Sequence, residues 1–208
     1  MTLEEILRKV QAELEISSDE IDWGDDETLA RIDLCNLGIM YWAKVNNNRW
    51  NELANIEELD ALVVGENELD LPRDLAILSG LKVGEIENAV NSASKAFYDG
   101  KGWYIKGNEK KGRALTLVEK LSSEDARVGK MATILYYKKP FLLSKPEDKP
   151  EMSDPSFLVD YVVSMIATDD DPNKYGVFSE KMADKLNAML DLNNNFNDSE
   201  KNGLDIVI

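Results

Sequence analysis

Histidine is absent from all 208 residues, and with it go the Ser-His and Cys-His nucleophilic pairs and every zinc site that needs imidazole. A single cysteine, Cys35, excludes an internal disulfide and a multi-cysteine metal site. Nowhere does the chain stay apolar for the ~18–20 residues of a membrane span. Met1 leads into an acidic amphipathic segment rather than a basic, apolar leader, so the expectation is a soluble protein that is not secreted. Positive charge is scarce: 24 Lys and Arg stand against 40 Asp and Glu, a net charge of −16. A dedicated nucleic-acid binder needs clustered cations to meet phosphates, so the balance argues against that class. A channel past which DNA slides without sticking is compatible with the sign.

What is present supports a real core. Apolar residues make up 43% of the chain, and a chain of this length buries roughly 70% of its unfolded surface. Thr2 and Glu5 form a capping box ahead of Leu3, Ile6, Leu7, Val10 and Leu14, which share one helical face. A second helix is expected from the acidic stretch after Trp23 to about Asn46, burying Leu29, Ile32, Cys35, Ile39, Met40 and Ala43, with Tyr41 and Trp42 off that stripe. Those two aromatics pack either within the fold or on a neighbouring subunit. Residues 50–59 read as a short extra helix.

From Asp60 the texture becomes β-rich. Ala61 to Val64 and Glu66 to Leu71 read as strands or a hairpin, Leu75 to Val83 as a strand, and Glu85 to Phe97 as a diluted helix. Residues 103–105, 114–118 and 131–137 are aromatic or β-branched runs expected in an antiparallel sheet. Pro140, Pro146, Pro150 and Pro155 then space a surface linker. Asp154 and Pro155 open a helix carrying Phe157, Leu158, Tyr161, Val162, Met165 and Ile166 on its apolar face. A last helix from about Lys174 completes an antiparallel hairpin. The expected class is α+β: a helical bundle built from both termini (1–59 and 141–192) with an inserted antiparallel β-rich region (60–140) and a polar, mobile tail (193–208).

Four stretches invite chemistry. The acids Asp169, Asp170 and Asp171 could hold a divalent cation for a metal-dependent enzyme, or cap the helix beyond Pro172. Residues 107–112 have the glycine spacing of a phosphate loop, but Arg113 and Ala114 stand where Lys and Ser or Thr are required, and a strand rather than a helix follows; a strand-to-strand turn is the better reading. Residues 191–195 begin like a calcium loop, yet Phe196 occupies the glycine position and Asn202 the bidentate Glu position. Lys138, Lys139 and Lys145 interleave with Tyr136, Tyr137 and Phe141, a weak single-strand stacking pattern. Cys35 reads as a small core residue.

Residues 131–140 (MATILYYKKP), 149–155 (KPEMSDP), 158–161 (LVDY) and 169–174 (DDDPNK) together resemble the C-terminal half of the head-to-tail adaptor (connector, head completion) proteins of tailed bacteriophages. Residues 2–6 with 23–29, and 70–75 (DLPRDL), are similar to that family's opening helices and the start of its β region. The stretch 82–99 matches least. The resemblance implies a non-enzymatic virion neck protein without cofactors, made in the host cytoplasm. It implies a homo-oligomeric ring, a dodecamer, between the portal protein and the tail or next neck protein, through which DNA passes without specific binding. By that analogy Leu204, Ile206, Val207 and Ile208 are the portal-binding residues. A polar tether ending in alternating apolar residues also suits strand addition or groove insertion. The rivals are the metal-dependent enzyme using Asp169 to Asp171 and a host cytoplasmic interaction module.

Overall fold

The computed structural model of the chain describes residues 1–16, 20–108 and 110–201. In chain order the elements begin with α1 (Leu3–Glu13), α2 (Asp26–Lys44), β1 (Ala54–Ala61), β2 (Glu68–Asp70) and β3 (Leu75–Val83). There follow β4 (Ile86–Glu87), β5 (Val90–Asn91), α3 (Ala93–Asp99), β6 (Trp103–Asn108) and β7 (Gly112–Leu117). The last are β8 (Met131–Lys138), α4 (Ser156–Asp170) and α5 (Pro172–Lys201). The class is α+β, and the chain divides into two compact units, one of Met1–Glu52 with the chain from Pro140 onward, the other of Leu53–Lys139.

In the helical unit α4 is the hub, packing on α1, α2 and α5. Its residues are buried almost all round, including Phe157, Leu158, Val159, Val162 and Val163, as a helix enclosed by neighbours must be. Met165, expected on the apolar face, is exposed for this reason: the three neighbours cover the other sides. Gly38 lets α2 approach closely, because a Cβ there would lie 2.9 Å from both Leu158 and Tyr161 side-chain carbons. The buried side of α2 runs through Thr28, Ile32, Cys35, Ile39 and Trp42, so the stripe is rotated from expectation and Leu29 is 46% exposed. Trp42 is fully buried and stacks on Trp50, whose Nε1 donates to the Trp42 carbonyl at 2.9 Å.

The proline-spaced stretch has no regular structure, as expected, but it is bound at several points. Its carbonyls of Asp148 and Pro146 accept from Leu3 N and Glu4 N, supplying partners for the orphan amides of α1. The Asn36 side chain grips Leu143 on both sides, accepting from its N at 2.8 Å and donating to its O at 3.0 Å. A second asparagine does the same elsewhere: Asn193 Oδ1 accepts from Asn51 N, and its Nδ2 donates to Arg49 O, both at 2.9 Å. Within the span expected as a polar tail, α5 continues to Lys201 and Asn193 is buried, while 202–208 lie outside the described residues.

The second unit contains two four-stranded sheets, ordered β1-β8-β3-β4 and β2-β7-β6-β5. Leu59, Leu81 and Ile134 from one sheet meet Leu69, Trp103 and Leu115 from the other in a shared core. Two expected helices are only partly realised: Asn51–Leu53 form a short 3-10 turn ahead of β1, and Ala93–Asp99 form α3. Residues 54–61 are β1, because Asn55, Glu57 and Leu59 pair in register with Tyr136, Ile134 and Ala132 of β8, and this long-range pairing overrides the helix preference of Glu, Leu and Ala. The segment 85–97 is split into β4, β5 and only the start of α3, which Ser92 caps by accepting from Lys95 N and Gly100 closes in the left-handed region. The strands at 61–64 and 66–71 are not a hairpin: β1 ends at Ala61, and β2 pairs with β7 in the other sheet.

Candidate interaction surfaces

The outward side of the first sheet is a surface with an unusual composition. Register places Ala54, Tyr137 and Ile77 in one cross-strand row and Ile56, Leu135 and Gly80 in the next. A third row, Glu58, Thr133, Lys82 and Glu87, is charged and polar. Ile56 is 70% exposed, and Ile77 and Leu135 are exposed beside it. Gly80 carries no side chain to fill the surface, which leaves a depression of about 540 Å³ lined by Ile56, Gly80, Lys82, Thr133 and Leu135. Period-two alternation puts an apolar residue here only at the expense of solvation, so a contiguous apolar patch with a charged border is the signature of a contact surface. Phe97 and Tyr98 on α3 form a second exposed aromatic pair, edge to face at 5.5 Å between centroids.

Behind the sheet, on its core side, lies a polar knot. The Tyr136 hydroxyl accepts from Asn55 Nδ2 at 2.8 Å and donates towards Glu57 Oε2 at 3.0 Å and Asp74 Oδ1 at 3.3 Å. Its pKa is pushed up to about 12, first by burial; the Asn55 amide opposes this, and the Glu57 and Asp74 carboxylates add to it. The native state therefore holds the phenol proton above the ordinary value near 10, and folding stability is fully present below pH 10 and falls as pH rises towards 12. A rise of that size is worth at most about 3 kcal/mol. We expect chemical denaturation at pH 9 and pH 11.5 to show this alkaline loss in the native chain and a smaller one in Tyr136→Phe. Equal losses in both would place the cause elsewhere. Tyr161, raised by burial and by Tyr41, is present in both chains and cancels from the comparison.

The candidate residues from the sequence fare differently. Leu204, Ile206, Val207 and Ile208 lie outside the described residues. Asp169 and Asp170 belong to the last turn of α4 rather than to a connector, and Asp171 alone joins the helices. Asp171 Oδ1 accepts from Lys174 N at 3.0 Å, a helix-capping contact at the start of α5. Among the described residues no three His, Cys, Asp or Glu side chains converge as a metal cluster. The calcium-like start at 191–195 is helical, and the Asn193 oxygen is engaged by Asn51 N. The glycine-spaced loop is the turn between β6 and β7. Tyr136 is 1% exposed and offers no face for base stacking. Cys35 is buried in α2, and burial raises its thiol to about 12, against a smaller lowering by a backbone hydrogen bond, far from the range of a reactive thiolate. Among the described residues no helix is long and apolar enough to cross a membrane.

The sheet face is hidden from sequence reasoning because residues 50–59 read as a helix; the alternation of Asn55, Glu57 and Leu59 against Ala54, Ile56 and Glu58 is the signal that could reveal it. No protein-family model matches the chain, and no curated protein matches it.

Proposed function

We propose that the protein is a structural subunit of a tailed-bacteriophage virion, a head-to-tail adaptor whose ring joins the portal to the tail and lets the genome pass. The observation that carries an interface role is the exposed apolar sheet face around Ile56 and Leu135. The motif resemblance at 131–140, 149–155 and 169–174 supplies the class. In this reading the helices from both ends of the chain form a bundle, and the β-rich insertion meets the neighbouring copy through its apolar rows. Residues Leu204, Ile206, Val207 and Ile208 reach the portal, and the surplus of carboxylates keeps passing DNA from sticking. The protein acts by contact and carries no reaction.

Electron microscopy of the chain mixed with its portal protein is expected to show a ring of definite symmetry seated on the portal. Ile56→Lys places a charge in the apolar rows at a site that is 70% exposed. It is expected to reduce ring formation by at least about tenfold while leaving the melting temperature within a few degrees. Removal of 202–208 is expected to leave rings that no longer seat on the portal. A wild-type chain that stays monomeric beside the portal would overturn the proposal.

A further inference from the structure

Each sheet ends in two edge strands, and three of the four are short: β4 and β5 have two residues each, and β2 has three. Short edges offer little backbone to a foreign strand, which is one way proteins suppress unwanted pairing. β1, the remaining edge, has eight residues.

One side of β1 is taken by β8, in continuous register from Ala54 to Leu59. The other side is open. Among the described residues no strand pairs there, and no hydrogen bond reaches the backbone of 54–60 from outside the sheet. Alternate residues of an antiparallel strand turn their N–H and C=O groups to opposite sides, so about three residues between Ala54 and Leu59 present both groups away from β8. Their side chains are no screen, since residues 54–58 are all exposed or half-buried. The usable stretch ends at Asp60, where the register shifts and the strand bulges.

The register also dictates what an added strand meets. Ala54, Ile56 and Glu58 lie on the outward face, and Asn55 and Glu57 on the other. Glu57 accepts from the Tyr136 hydroxyl at 3.0 Å, whereas Glu58 and Asp60 are exposed and have no ion-pair partner among the described residues. The row of Glu58 runs through Thr133 to Lys82, so its nearest cation lies two strands away, roughly 10 Å. Beyond β1 the row has no counter-charge.

That acidity selects the occupant. β1 contains no cation, and neither do the short edges β2, β4 and β5. A second copy therefore has no edge strand to set a cation against Glu58, and pairing β1 with itself crowds Glu57, Glu58 and Asp60 of both copies. Like charges directly across a strand pair are destabilising, and opposite charges favourable. A strand with an apolar residue opposite Ile56 and a cation opposite Glu58 extends both rows.

We propose that the open side of β1 is a strand-addition site for an extended basic segment of another protein, with Lys or Arg opposite Glu58. The site stands independently of the adaptor reading: an edge partner lies in the plane of the sheet, whereas the ring contact covers its face. The probe is the peptide Thr-Lys-Lys-Val-Thr-Val-Thr, which in antiparallel register sets its two Lys against Glu58 and Glu57 and its first Val against Ile56. A twin peptide with Glu in place of both Lys is the control. Each is titrated at low salt into the full chain, followed by backbone NMR shifts and by hydrogen exchange of the β1 amides. Saturable binding of the Lys peptide is expected, with slowed exchange at alternate residues of 54–59 and at least about tenfold weaker binding of the twin. Glu58→Lys, at an exposed position, is expected to reverse that order. Absence of binding, equal affinity for the two peptides, or shifts that spare β1 would overturn the site. Protection of the β1 amides that grows with the concentration of the chain alone would overturn its assignment to a foreign strand.

Discussion

Lys185→Met is expected to lower the stability of the helical unit by about 3–5 kcal/mol, because it strands a buried carboxylate. Asp160 lies on the enclosed helix α4 and is 4% exposed, and its partner across the α4–α5 contact is the Lys185 ammonium. That ammonium also donates to Ser156 O at 3.2 Å, so one cation serves two acceptors a turn apart on α4. Val159, next to Asp160 in the sequence, and Val163, nearly one turn further along α4, are buried apolar residues that offer no substitute donor. The double variant Asp160→Leu, Lys185→Met removes both charges and is expected to recover most of the loss, since the pair's own attraction is largely offset by the cost of desolvating it. Urea midpoints of the two variants against the native chain decide the matter. A single variant that costs under about 1 kcal/mol, the level of a surface ion pair, would show that Asp160 remains in contact with water.

The second large effect is expected at Asn193. Its side chain is 3% exposed and satisfies one backbone donor and one backbone acceptor on the segment between α2 and β1. Asn193→Ala removes the side-chain partners of Asn51 N and Arg49 O, and two such losses in a part-buried setting cost about 1–3 kcal/mol. Asn193→Asp is the sharper probe: it keeps an acceptor for Asn51 N but sets an anionic oxygen against the Arg49 carbonyl, so it is expected to be no better tolerated. Hydrogen exchange at the Asn51 amide reports the local effect, with faster exchange expected in both variants. Unchanged protection at Asn51 would mean that the contact carries no weight.

Both sites bear on how the helical unit is assembled. Asn36 and Asn193 each use a terminal amide as a two-sided backbone mimic, one on the 140–155 stretch and one on the 49–51 stretch. Irregular backbone that is partly buried must find hydrogen-bond partners, and here side chains of α2 and α5 supply them. In the sequence Asn193 belongs to a polar run that reads as a frayed helix end, whereas Asn36 sits between Cys35 and Leu37 in an otherwise apolar stretch of α2, and nothing local marks either as a clasping asparagine.

The elements that were legible share a property: their signals lie within a few residues. The Thr2–Glu5 capping box, the acidic start of α2 after Trp23, the span of β3 and the β6–β7 turn are local chemistry, and each appears where the sequence places it. The misread elements depended on partners far along the chain. Residues 54–61 become a strand because β8 lies alongside, more than seventy positions later, and the 85–97 stretch divides because β3 and β6 claim two short pieces of it.

The same division runs through the functional surfaces. Sequence alone determined what this protein lacks: without histidine, with a single cysteine and with a large excess of carboxylates, imidazole chemistry and broad phosphate binding were closed before any folding. Tertiary structure alone decided which residues meet. It aligned Ile56 with Leu135 and Gly80 into an outward apolar row, and it left β1 as a long edge strand with Glu58 unopposed on its open side. Composition sums over all residues, whereas recognition depends on the few that strand register and turn geometry bring within contact distance.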